Sequence, residues 1–201
     1  MGKIIGITGG IASGKSTVTS FLRQEGYQVV DADAVVHQLQ KPGGRLYRIL
    51  VDHFGEEVLI DNGELNRPIL ASRIFSDLEE LEWSKETQGQ IIREELGSLR
   101  DKLSMTEDVF FMDIPLLFEQ EYASWFDETW LVYVSRDTQL DRLMKRDYLT
   151  IEEAQARLDS QWPLEEKKRL ASHILDNNGS REQLLTKVVS LLQGGDSLER
   201  D

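Results

Sequence analysis

The chain has 201 residues, 40% of them hydrophobic and 29% charged, which suits one α/β core with elaborations and is too short for two full catalytic domains. It contains no cysteine, which excludes disulfides, thiolate metal sites and a cysteine nucleophile. Twenty-three Lys and Arg against 36 Asp and Glu leave a formal net charge of -13, which repels polyanions and argues against nucleic acid or an acidic membrane surface as a partner.

The first element expected is a strand over residues 3–8, a short apolar run bounded by glycines, of the kind buried in parallel sheets. The stretch before it is too brief for a secretory leader, and no apolar run approaches the ~20 residues a membrane helix needs. A cytoplasmic location is expected. Immediately after the strand, residues 9–16 read GGIASGKS and match G-x-x-x-x-G-K-[ST] through Gly9, Gly14, Lys15 and Ser16. Such a loop wraps its backbone around phosphates: here Gly10, Ile11, Ala12, Ser13 and Gly14 would form the cradle, and Lys15 would reach the β- and γ-phosphates. The Ser16 hydroxyl would ligate Mg2+, with Thr17 a weaker partner. The pattern predicts ATP as ligand and phosphoryl transfer to a small molecule as the activity.

The spacing predicts a helix over about 15–25, with Val18, Phe21 and Leu22 inward and Gly26 ending it, then a second strand over 27–31. That strand closes on Asp31-Ala32-Asp33. Two carboxylates at i and i+2 can divide the labour at an acceptor hydroxyl, one orienting or deprotonating it; either can also simply cap the helix that follows.

A long stretch from about Ala34 to Ser104 is helical by pattern, with Gly89 and Gly97 set against one unbroken helix through Leu78 to Leu103. It is too long for a crossover and reads as a helical insertion walling the substrate. Residues 52–55 fit the D-x-x-G signature of GTP-binding switches, but Leu46, Ile49 and Leu50 have helical spacing, so the match is accidental, and the chain has no Asn-Lys-x-Asp motif. Further strands are expected over 109–112, 129–134 and 173–175, ending near Asp113, Arg136 and Asp176, which with Asp31 are candidates to ring one crevice at the carboxyl edge of the sheet. Residues 137–170 are charged and helical and sit where a mobile lid would be. Residues 135–170 balance eight acids with eight bases while 52–101 hold 13 acids and 5 bases, so an anion should be met by the later segment. Arg142 and Arg146, four apart, share a helix face, and a polar tail is expected from Gly194 onward. Trp83, Trp125, Trp130 and Trp162 read as core or hinge packing.

The order Thr8-GGIASGKS-Thr17, Asp31-Ala32-Asp33 with His37, Asp113-IPLLF-Glu119, Gln139-LD-Arg142-LMK-Arg146, Ala154-QA-Arg157, Gln161 and Asp176-Asn177-Asn178-Gly179 closely resembles the dephospho-CoA kinase family over nearly the whole chain. The resemblance implies a three-layer α/β P-loop fold with a parallel five-stranded sheet: core at about 1–37, 105–135 and 171–201, CoA-binding insertion at about 38–104, lid at about 136–170. It implies phosphorylation of the ribose 3′-hydroxyl of dephospho-CoA by ATP, with Asp33 the catalytic aspartate beside Lys15 and Arg142. It places Arg142, Arg146 and Arg157 as lid arginines on the nucleotide, Asn177 at the adenine, and Asp31, His37, Asp113 and Leu116 on the substrate side. Asp113 would hold magnesium with Ser16, and Leu116 would form wall. A monomeric or weakly associating protein is expected. One departure stands out: many family members carry His-Pro where this chain has Gly89-Gln90, before Ile91-Ile92-Arg93, in an acidic stretch. The residues alone leave open another P-loop kinase for a nucleoside or hydroxylated metabolite, or a nucleotide switch.

Overall fold

The computed structural model describes residues 2–194. Among them, strands β1 (Lys3–Gly9), β2 (Val29–Asp31), β3 (Val109–Asp113), β4 (Glu128–Tyr133) and β5 (His173–Asp176) form one sheet in the order β2-β3-β1-β4-β5. β1 pairs in parallel with both β3 and β4, and β4 with β5. β1 is therefore interior, between β3 and β4, and ligands of open parallel sheets bind beyond the carboxyl ends of such strands. The strands can be apolar on both faces because both are covered: Ile5, Ile7, Trp130 and Val132 share one buried cluster, while Leu131, Tyr133 and Val134 pack with Leu164 in another.

The described helices are α1 (Lys15–Gln24), α2 (Ala32–Leu39), α3 (Arg45–Phe54), α4 (Arg67–Ile74), α5 (Leu78–Thr106), α6 (Arg136–Asp147), α7 (Ile151–Asp159), α8 (Leu164–Leu170) and α9 (Arg181–Leu192). α1 buries Val18 and Leu22 beside Leu184 and Val188 of α9. It stops as the glycine predicts: Gly26 adopts φ 91, its N–H donates to Arg23 O at 3.2 Å, and that of Tyr27 to Leu22 O at 3.0 Å. This pair of hydrogen bonds explains why β2 starts at Val29 rather than at Tyr27. The Tyr27 amide closes the helix, and its ring packs edge-on against Phe111, centroids 5.4 Å apart.

The chain divides into two compact units, residues 1–30 with 103–201, and residues 31–102. In the second, α2, α3, α4 and most of α5 enclose Leu46, Leu50, Val58, Leu70 and Ile91. α5 runs unbroken for 29 residues, against the expectation raised by Gly89 and Gly97. A glycine costs a helix about 1 kcal/mol, and burial of neighbours such as Ile91 and Leu96 outweighs it. The D-x-x-G match falls at the end of α3, where Gly55 at φ 82 caps the helix, as the apolar spacing implied. Trp130 is buried; Trp83 stacks on His53, Trp125 meets Tyr122, and Trp162 departs from the packing expectation, being 46% exposed beside Pro163. Of the expected tail, residues 195–201 lie outside the described residues.

Candidate active site

Residues 10–14 turn the chain from β1 into α1. Ala12 and Gly14 take positive φ, 58° and 90°, and the turn closes on bonds from Ser13 N to Gly10 O at 3.1 Å and Thr17 N to Gly14 O at 3.0 Å. A side chain cannot stand at Gly14: a Cβ would lie 2.2 Å from Asn177 Nδ2. α2, α6, α7 and α9 spend an N-terminal amide on a capping side chain, from Asp31, Ser135, Thr150 and Ser180. α1 has neither a side-chain cap nor an acid in its first turn. Its first amides and its positive dipole end are thus available to an anion.

Asp113 closes β3, in register with Ile7, and its carboxylate pairs with the Lys15 ammonium, the two being largely buried. The following segment is pinned to the sheet: Ile114 N donates to Ile7 O at 2.9 Å and Thr8 Oγ1 to Pro115 O at 2.9 Å. Lys167 of α8, 1% exposed, donates to the same Pro115 carbonyl at 3.1 Å and lies 2.6 Å from Glu119. Leu116 is half-exposed on that turn. Ser16 is exposed at the second residue of α1, and its hydroxyl with the Asp113 carboxylate is a set of hard oxygen donors suited to Mg2+. Ser13 Oγ is buried without a hydrogen-bond partner.

Arg142 and Asn177 meet behind the loop. Arg142 donates from NH2 to the Asn177 carbonyl at 2.9 Å, and Asn177 donates from Nδ2 to Ser13 O at 2.8 Å, so the asparagine carboxamide is engaged with the phosphate loop itself. Arg146 and Arg157 converge on Asp147, Arg146 through Nε at 2.7 Å and NH2 at 3.0 Å, Arg157 through NH1 at 2.9 Å. The bonds from Arg146 hold the Asp147 carboxyl below its ordinary range, and Asp147 in turn raises the Arg146 guanidinium. The other expected strand-end residues are occupied locally: Arg136 pairs with Asp159 at 2.6 Å, and Asp176 accepts from Asn178 N at 2.8 Å.

In the helical unit Asp31 caps α2, accepting from Ala34 N at 3.0 Å, as the capping alternative allowed. Asp33 stands exposed in the first turn of α2, and His37 one turn later bonds through Nδ1 to NH2 of Arg67 at 2.8 Å. Arginine can only donate, so Nδ1 is the acceptor and the ring proton is assigned to Nε2. The departure at Gly89-Gln90 is absorbed by α5, where Gln90 bonds Glu94 at 2.9 Å and Ile91 faces the core.

Sequence reasoning gave no role of their own to Gln139, Gln161 or Lys167. The two glutamines hold the backbone of Ile11, at 2.8 Å from Gln139 Nε2 to its carbonyl and 3.0 Å from its N–H to Gln161 Oε1. Both stand in the family pattern, but their contact with Ile11 is not legible there, because each joins residues far apart in the chain. Lys167 lies in a run of charge that reads as a solvated face, and only the fold buries it.

The family model described as dephospho-CoA kinase matches residues 3–183. The chain is 70% identical to the dephospho-CoA kinase of Streptococcus pneumoniae serotype 4 over 201 residues, all of both chains. A solved dephospho-CoA kinase from Campylobacter jejuni superposes with a TM-score of 0.74 at 27% identity, covering 96% of this chain and 99% of that one. A shikimate kinase from Acinetobacter baumannii, 15% identical with a TM-score of 0.53 over 96% and 94% of the two chains, shares the fold alone. A phosphate loop with its lysine paired to a strand-end aspartate, within a match this extensive, makes the chain an α/β P-loop kinase that belongs to the dephospho-CoA kinase family.

Proposed function

We propose that the chain transfers the γ-phosphoryl group of ATP to the 3′-hydroxyl of the ribose of dephospho-CoA, giving CoA and ADP, the last step of CoA biosynthesis. The observation that carries this reading is the agreement of the 70% identical relative and the family match with an uncapped α1 start and a Lys15–Asp113 pair. The uncommitted amides of the loop and of the start of α1, with the Lys15 ammonium, would bind the β- and γ-phosphates, and Arg142, Arg146 and Arg157 would close on the nucleotide from the lid over 136–170, with Asn177 at its adenine end. Mg2+ would be held by the Ser16 hydroxyl and the Asp113 carboxylate and would supply neutralisation of the phosphate charge. Asp33 is the base: as the acceptor oxygen bonds to the γ-phosphorus and the bond from that phosphorus to the β–γ bridging oxygen breaks, the hydroxyl proton passes to its carboxylate and ADP leaves with the electron pair. Asp31, His37 and Leu116 belong to the substrate side of this reading. The enzyme acts as a cytoplasmic monomer. No described helix is long and apolar enough to cross a membrane.

The test is a coupled assay for ADP with magnesium, ATP and a panel of acceptors. ADP release is expected only with dephospho-CoA, to be abolished in Lys15→Ala, and to fall in turnover with ATP binding retained in Asp33→Asn. Release driven by another hydroxylated metabolite would transfer the assignment to a different P-loop kinase activity. Near-normal turnover of Asp33→Asn would remove the aspartate from the chemistry.

A further inference from the structure

The turn that cradles phosphate bends through two positive-φ residues, and one of them, Ala12, has a side chain. A non-glycine residue in that region costs about 1–2 kcal/mol and persists only where its surroundings over-determine it. Those surroundings come from α6, α7 and the link to α8. Gln139, on the first turn of α6, is buried and donates to the Ile11 carbonyl at 2.8 Å. Gln161, between α7 and α8, accepts from the Ile11 N–H at 3.0 Å. The side chains of Ile11 and Ala12 pack on the cluster of Leu143, Ala154 and Leu158. Gly10 leaves the room for this: a Cβ there would come within 2.7 Å of Gln139 Nε2 and 3.2 Å of Leu164 Cδ2.

We infer that Gln139 and Gln161 are positioning residues that form one clamp on Ile11, presetting the phosphate loop for ATP and tying its curvature to the helices over 136–170. A peptide unit has one donor and one acceptor on each residue, and here both groups of Ile11 are committed to side chains of the same helical segment. The tip of the loop therefore cannot change its bend without breaking a bond to that segment or carrying it along. With the amides of Ser13 and Thr17 closing the turn on Gly10 O and Gly14 O, those of Ala12, Gly14, Lys15 and Ser16 are left for the ligand. A loop held in its bound shape binds without the cost of ordering itself, which is where a positioning residue acts on affinity.

This inference rests on the proposed use of ATP but not on the acceptor. The test is direct ATP binding, with no acceptor present, and steady-state kinetics, on the full chain with Gln139→Met, Gln161→Met and the double variant. Methionine keeps the length and volume of glutamine while removing its donor and acceptor. Each single variant is expected to weaken ATP binding and raise KM for ATP about 5–10-fold, leaving KM for dephospho-CoA within about 2-fold. The double variant is expected to be little worse than either, because a clamp released at one jaw is already open. Gln161→Glu, which keeps an acceptor for the Ile11 N–H, should recover part of the loss. Unchanged ATP affinity in folded variants, equal losses for both substrates, or strictly additive effects would each overturn the clamp. If Gln139→Met fails to fold, as read by circular dichroism, the partly exposed Gln161 carries the test alone. Failure of the wild-type chain to use dephospho-CoA would strike the acceptor assignment and leave the ATP affinities interpretable.

Discussion

Removing the ammonium of Lys167 should be among the most damaging single changes in the chain. Its side chain is 1% exposed, lies 2.6 Å from Glu119 and donates to Pro115 O at 3.1 Å. Neither Glu119 oxygen meets hydrogen-bonding geometry, although the ammonium is close, so the attraction is Coulombic and nothing else compensates the carboxylate. At this separation an effective dielectric of about 20 gives an attraction of roughly 6 kcal/mol, most of it consumed by desolvating the two ions. The net worth of the pair is therefore small, while the cost of breaking it is not. Lys167→Met strands a buried carboxylate and is expected to cost about 3–5 kcal/mol, with about 1 kcal/mol of that from the lost bond to Pro115. The double variant Lys167→Met with Glu119→Leu removes both charges and should recover most of the loss, a coupling of about 2–3 kcal/mol. Urea unfolding followed by fluorescence in a Trp83→Phe background reads the sheet unit through Trp125, Trp130 and Trp162. A cost below about 1 kcal/mol for Lys167→Met, or additivity in the double variant, would refute the reasoning.

Gly14→Ala places a Cβ at φ 90 and 2.2 Å from Asn177 Nδ2, so ATP affinity by calorimetry should fall at least about 10-fold while the helical unit keeps its stability. Tyr133 donates to Glu165, and this bond, with burial and the nearby carboxylates, pushes its phenol up to about 12. A raised folded value means the stability it contributes is complete below about pH 10, the ordinary phenol value, and is lost as pH rises through about 12. Tyrosinate absorbance should show a phenol ionising well above the ordinary value, and Glu165→Gln should move it back toward that value. Leu50→Ala, at a fully buried core position of the helical unit, should cost about 3–5 kcal/mol in urea unfolding without changing the ATP affinity of the full chain.

Much of the sheet unit was legible because its signals are local. An apolar run, a glycine-rich turn and an amphipathic helix adjoin in residues 3–24, and the ligand cradle is made of that same stretch of backbone. The helix stop at Gly26 was equally local, and only the extra amide taken by Tyr27 displaced the start of β2. What stayed hidden depends on residues brought together by the fold. Gln139 and Gln161 lie 128 and 150 positions from Ile11, and although both stand in the family pattern, nothing local to them tells that they reach that backbone. Asp31 illustrates a different limit: a carboxylate before a helix satisfies both the capping and the substrate-side pattern, and sequence cannot rank them. The structure supplies the cap, in the bond from Ala34 N. α5 defeated the pattern at Gly89, where a helix-weakening residue is tolerated because the flanking turns bury Ile91 and Leu96.

A protein with a formal charge of -13 that binds a polyphosphate needs its positive charge where the ligand lies. Five of the eight basic residues of the segment over 135–170 do not supply it as loose cations. Arg136 is paired with Asp159, Lys145 with Asp141, Arg146 and Arg157 with Asp147, and Lys167 with Glu119. On the proposed function, a phosphate reaching Arg146 or Arg157 replaces the Asp147 carboxylate, exchanging one anion for another, so the gain there is small and falls on geometry more than on affinity. Lys15 is in the same position toward Asp113. Besides Arg142, whose bond is to the Asn177 carbonyl, the attraction left without a competing acid is that of the amides opening α1, which has no capping side chain and no carboxylate in its first turn. Backbone charge cannot be neutralised by a titrating neighbour, and it acts only on an anion that reaches the helix axis. That is how an acidic surface can repel polyanions in general and still hold one triphosphate, and it is why the shape of residues 10–14, rather than the number of arginines above them, should decide how tightly ATP is bound.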